Sequence, residues 1–151
     1  ALFSEVSKIE ALNDSTFDFD QKTSLFHSNE AIQVTQNLKG NLIIQSFDRI
    51  FVTANAMLEH VILLAPSVFF EKGFHGKVQV IASHEIVCEE NVHLDYPSAL
   101  MLYENQPIGE QSRISLMKGA RVLGGVLLVS KNPDFRNPVY LEVLEIGRAH
   151  V

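Results

Sequence analysis

The chain carries none of the short motifs that announce a chemistry. Its 151 residues contain no G-x-S-x-G, no H-E-x-x-H, no phosphate loop and no dinucleotide fingerprint. A single cysteine, Cys88, excludes an internal disulfide and leaves the redox compartment open. Basic residues are scarce, 12 against 18 acidic ones, and the net charge is −6. No basic stripe exists to release counterions from a phosphate backbone, so a nucleic-acid partner is not expected. No stretch approaches the ~18 apolar residues of a membrane span, and no signal-peptide pattern is visible. The chain starts at Ala1 without a Met and ends at Val151 inside a repeat. Both features predict a piece of a longer protein, truncated at the C-terminus. Contact with a membrane is then expected only through a missing anchor.

What the chain does have is regularity. Hydrophobic residues make up 46% and charged ones 20%, which excludes a disordered chain and allows one domain with a substantial core. Ile50, Ala56, Ile62, Val68, Phe74, Val80, Ile86 and Val92 fall six residues apart. Two residues after each come Val52, Leu58, Leu64, Phe70, Gly76, Ala82, Cys88 and Leu94. The double column extends back through Ile32/Val34, Leu38/Gly40 and Ile44/Ser46, and forward to Ser98/Leu100. A fixed short period is the signature of a solenoid. Inward residues at i and i+2 fit a short β-strand. Three such hexads closing a triangle predict an all-β fold, a single-stranded right-handed parallel β-helix of about 18 residues per coil. Stacked at ~4.8 Å, the coils satisfy one another's backbone groups and keep the centre dry. Cys88 falls in the inward column and is expected to be an apolar filler.

The phase breaks at two loops, 104–112 and 130–138, punctuated by Pro107, Gly109 and Pro138. Loops at coil corners are where solenoids carry partner-binding surface. Leu2, Val6, Ile9 and Leu12 have helical spacing, and Asn13-Asp14-Ser15 reads as a stop. Residues 1–15 are therefore predicted as a short helical cap or linker, and 16–151 as the solenoid.

The 18-residue register also predicts outward columns. Phe51, Phe69 and Val87 form one, and Leu63, Ile81 and Ala99 another. An aromatic and aliphatic ladder is unusual on a free surface, so these are the candidate interaction residues. His75 and His93 stack below Met57. No Cys or carboxylate shares their column, and two ligands make a poor site, so no metal is predicted. Asp14, Asp18 and Asp20 cluster in the N-terminal segment, off any coil face. Asp48, Asp95 and Asp134 are scattered, and Glu89-Glu90 is an exposed corner pair. No catalytic residue and no cofactor is predicted.

The stretch from Ile114 to Val129, with Gly119-Ala120-Arg121-Val122 at its turn, resembles a coil of the bactofilins. The resemblance is to a motif over 114–129 and to an architecture over 32–100. It implies a right-handed triangular β-helix without a catalytic site, in a family of polymer-forming bacterial scaffolds. Glycines are scarcer here, and the loops and N-terminal segment depart from the compact family core. A looser resemblance to bacterial envelope proteins rests on Asp14-Ser15-Thr16 and Leu94-Asp95-Tyr96-Pro97-Ser98. Hexapeptide acyltransferases also have a six-residue period. Their signature puts Gly or a small residue after the aliphatic one, where this chain has Thr53, Glu59, Ala65, Glu71, Lys77 and Ser83.

Three functions follow as expectations. The first is a non-enzymatic scaffold or interaction module of a bacterial cell envelope, periplasmic or at the surface, with a protein partner or self-association. The second is a carbohydrate-binding or carbohydrate-active solenoid. The third is a left-handed acyltransferase relative. Three carboxylates gathered with a Lys or Arg in a groove would favour the second, and an apolar or evenly charged long face the first.

Overall fold

A computed structural model describes residues 3–6, 9–12, 14–104, 112–130 and 140–143. All regular structure there is β except one four-residue 3-10 turn, Ile9–Leu12. The strands are β1 (Ser4–Val6), β2 (Ser15–Phe17), β3 (Ser24–Ser28), β4 (Ile32–Val34), β5 (Asn37–Gly40), β6 (Leu42–Ser46), β7 (Arg49–Val52), β8 (Met57–Phe70), β9 (His75–Cys88), β10 (His93–Glu104), β11 (Arg113–Leu116), β12 (Arg121–Ser130) and β13 (Tyr140–Val143). Every pairing between them is parallel. The strands stack as a β-solenoid of about five turns.

The ladders form three faces. The first stacks β2, β5, the starts of β8, β9 and β10, and then β12. The second stacks β1, β3, β6, the middles of β8 and β9, the end of β10 and the end of β12. The third stacks β4, β7, the ends of β8 and β9, β11 and β13. One core runs along the axis and includes Val34, Ile44, Ile50, Val68, Phe70, Phe74, Ile86, Leu94 and Leu102. Cys88 is wholly buried in it, and burial pushes its thiol pKa up to about 12. It packs as an apolar filler.

The coil length is not constant. On the third face Ile32 pairs with Ile50, Ile50 with Val68 and Val68 with Ile86, steps of 18. On the second face Leu63 pairs with Ile44 and Val80, steps of 19 and 17, and Val80 pairs with Leu100, a step of 20. The register shifts between Leu94 and Ala99 of β10, between Ala65 and Ser67 of β8, and at the corner of β8 between the first two faces. His60 is an extra residue there, at φ 63°, and it shifts the register between Glu59 and Val61. The six-residue phase is therefore shifted at His60 and restored between Ala65 and Ser67, so that Val68 falls back into it. Val61, Leu63 and Ala65 point inward, and Ile62 and Leu64 are only half-buried.

The expected N-terminal helix does not form among the described residues. Ser4–Val6 pairs with Ser24–Phe26 as a strand, and Ile9 and Leu12 are buried in the core. A sheet edge with open N–H and C=O groups offers this segment more hydrogen bonds than an isolated helix of its length could keep. Gly40 is demanded by a close approach: at φ 102° a Cβ would lie 1.9 Å from the Phe17 carbonyl oxygen of the coil before.

Candidate functional site

Each face presents a different outer surface. On the first, two outward columns flank the inward line of Leu38, Leu58, Gly76 and Leu94. By register one column holds Asp14, Asn37, Met57, His75, His93 and Arg121. The other holds Thr16, Lys39, Glu59 and Lys77, and Asp95, one residue past the Leu94–Gly76 pair, lies at its end. A groove of about 460 Å³ runs between them, lined by Asp14, Lys39, Met57, Glu59, Lys77 and Asp95 among others. Asp14 thus heads a coil face, contrary to the expectation that it lies off one. β2 brings it there, and its Oδ1 accepts a hydrogen bond from Asn37 Nδ2 at 2.9 Å.

The charges of the second column alternate in sign from coil to coil. Lys39 Nζ is 3.5 Å from Glu59 Oε2, and Glu59 lies 3.7 Å from His60 Nε2. Asp95 is taken by His75, whose Nε2 it contacts. The Lys77 side chain lines the same groove and forms no hydrogen bond or ion pair with a described residue.

His75 and His93 do stack, at 5.8 Å between ring centroids and 76° between planes. Their carboxylate neighbour was missed because it comes from the adjacent column. Asp95 lies two residues after His93 on one outer side of β10, which is the signal that could have found it. Arg121 reaches His93 Nδ1 from the next coil at 3.4 Å. Burial holds the His93 imidazole below its usual pKa, with Arg121 and His75 pushing the same way and Asp95 and a Gly119 backbone contact opposing them. No group of three or more metal-capable side chains gathers among the described residues.

The second face is largely apolar on its outside. One outward column runs Leu25, Ile43, Ile62, Gln79, Ala99 and Gly125. The other runs His27, Gln45, Leu64, Ile81, Met101 and Leu127, with Tyr103 beside Val129 farther out. From β3 onward neither column contains Asp, Glu, Lys or Arg; Glu5 of the end strand β1 pairs with Leu25 and heads the first column. Ile81 belongs here as expected, 36% exposed, but its neighbour is Leu64. Leu63 is corrected: it is fully buried, because the His60 insertion turns its side chain inward.

The third face carries the predicted aromatic column. Phe51, Phe69 and Val87 pair in sequence on β7, β8 and β9. The two rings stack at 5.0 Å, and the Arg49 guanidinium lies 6.0 Å from the Phe51 centroid. Phe51 is exposed and Val87 buried. Most of the loops 104–112 and 130–138 lies outside the described residues.

Polar groove, largely apolar sheet and aromatic column are thus separate surfaces set about one axis. No protein-family model matches this chain, and comparison with curated proteins and with solved structures likewise gives no match.

Proposed function

We propose that the protein is a non-enzymatic scaffold module that associates with further copies of itself through the outer side of its second face. The observation that carries this is that the two outward columns hold no Asp, Glu, Lys or Arg from β3 to β12, the one carboxylate in register with them being Glu5 on the end strand β1. Soluble chains rarely leave a contiguous apolar sheet face open. A second solenoid presents side-chain ladders at the same ~4.8 Å spacing, so two such faces interdigitate rung by rung. We take the solenoid to be right-handed, as crossovers between parallel strands favour, with a basic coil of about 18 residues. The bactofilin-like stretch over 114–129 carries the cell-envelope part of the reading. The first face does not add to this reading: its groove gathers Asp14, Glu59 and Asp95 with Lys39 and Lys77, the arrangement expected of a carbohydrate-binding solenoid.

The test is sedentation of the purified chain over a range of concentrations by analytical ultracentrifugation. The wild type is expected to self-associate, and Ile81→Lys to be monomeric with an unchanged circular dichroism spectrum. Phe51→Lys on the third face should associate like wild type. A wild type that stays monomeric, or loss of association in Phe51→Lys with none in Ile81→Lys, overturns the reading.

A further inference from the structure

We propose that the groove of the first face is a binding site for an extended, uncharged saccharide chain. The proposal is independent of self-association, which uses another face. The groove spans the coils from Asp14 to Asp95. Four steps of ~4.8 Å make it roughly 19 Å long. It is open along its length, and its floor is the strand backbone at Leu38, Leu58 and Gly76. A linear polymer lying along the solenoid axis fits that shape, and the advance per ring of an extended β-linked glycan is close to the rung spacing.

The lining selects the chemistry. Asp14, Glu59 and Asp95 offer hydrogen-bond acceptors, and Asn37, Lys39 and Lys77 offer donors, all within one groove. A polyanion meets three carboxylates, and a polycation meets two ammonium groups. A hydroxyl both donates and accepts, so a polyhydroxylated chain satisfies both kinds of wall. Lys77 matters most, because Glu59 is already engaged by Lys39, and Asp95 by His75. The residue is half-buried, and its ammonium, without a partner among the described residues, has donors to give to ligand oxygens.

Saccharides also need apolar surface for the C–H faces of their rings. Met57 stands in the groove wall and is 64% exposed. Phe19 is 68% exposed and meets the edge of His60 at 6.3 Å. His60 lies 3.7 Å from Glu59, a groove residue, so the aromatic pair borders the groove at its corner. An aromatic ring held on a neighbour and left open to solvent is a stacking platform. His60 keeps that place in a left-handed conformation, φ 63°, which is uncommon outside glycine but which histidine adopts more readily than most side chains.

The experiment is isothermal titration of the whole chain with cellohexaose, chitohexaose and laminarihexaose, with poly-aspartate and polylysine as charged probes. At least one neutral oligosaccharide is expected to bind. Lys77→Ala and Phe19→Ala should each weaken it about tenfold or more, and Ile81→Lys should leave it unchanged. Circular dichroism checks that each variant folds. The proposal is overturned if no neutral oligosaccharide binds the wild type, if only a charged polymer binds, or if the Lys77→Ala, Phe19→Ala double variant binds like wild type.

Discussion

Ile86 is fully buried, paired with Val68 on one side and Ile114 on the other. A lysine there has no carboxylate within the axial core, since the buried polar residues of the described chain are Gln36 and four serines. The serines show what the core tolerates: Ser46 Oγ donates to the Glu30 carbonyl at 2.8 Å and accepts from Asp48 N at 3.0 Å, so neither atom is left bare. An unpaired ammonium costs several kcal/mol, comparable with a net stability of about 5–15 kcal/mol. Ile86→Lys is therefore expected to abolish cooperative unfolding, and Val68→Asp to do the same. Thr53→Ala removes one peripheral hydrogen bond, Oγ1 to the Val34 carbonyl at 3.3 Å, and should cost ~1 kcal/mol or less. Thermal melts followed by circular dichroism check this contrast. An Ile86→Lys variant melting like wild type would show that the inward column is misplaced.

Among the elements, the corner between the third and first faces is the most regular. Four turns there share one bond: Ala56 N to Thr53 O, Phe74 N to Glu71 O, Val92 N to Glu89 O and Ala120 N to Met117 O. The first residue of each also donates its N–H to the preceding coil, as Glu71 does to Val52 O and Glu89 to Phe70 O. Glu71 and Glu89 then reach across coils, accepting from Ala54 N at 2.6 Å and Lys72 N at 3.1 Å. These carboxylates satisfy turn donors that the ladder leaves open. Glu71→Ala and Glu89→Ala should each cost about 0.5–1 kcal/mol, a charge-assisted bond discounted for solvent, and the double variant their sum. Urea melts measure it, and two neutral single variants would sink the assignment. This corner is also why the six-residue phase was readable. A turn of constant length between Val52 and Leu58, Phe70 and Gly76, and Cys88 and Leu94 keeps inward residues six apart. The next corner was unreadable. Val61-Ile62-Leu63-Leu64-Ala65 is apolar at every position, so a one-residue slip at His60 leaves no trace in the pattern. The groove was hidden for a related reason. Asp14 meets Asn37 after 23 residues and Asn37 pairs with Met57 after 20, so a fixed 18-residue register does not bring them together.

At the scale of the whole molecule, each coil is held by the coils above and below it. Backbone bonds run along the axis, and no described strand bridges coils that are not neighbours in the stack. Stability in such a stack is a sum of neighbour interfaces, so it varies along the axis. β8 and β9 sit between paired neighbours over nearly their whole length. β1 and β2 are three residues each and pair on one side only. An end coil that opens loses one interface, whereas an opening at the centre breaks two. Amide hydrogen exchange should therefore be slowest at Val61–Ala65 and Val78–Ala82 and faster at Ser4–Val6 and Ser15–Phe17. The expected gap is at least about a hundredfold, or ~2.8 kcal/mol. Self-association across the second face would not reverse this order, because it joins side chains and leaves the axial hydrogen bonds as they are. Equal protection at the centre and at β1 and β2 would mean that the chain opens only as one unit, and the additive account of its stability would fall.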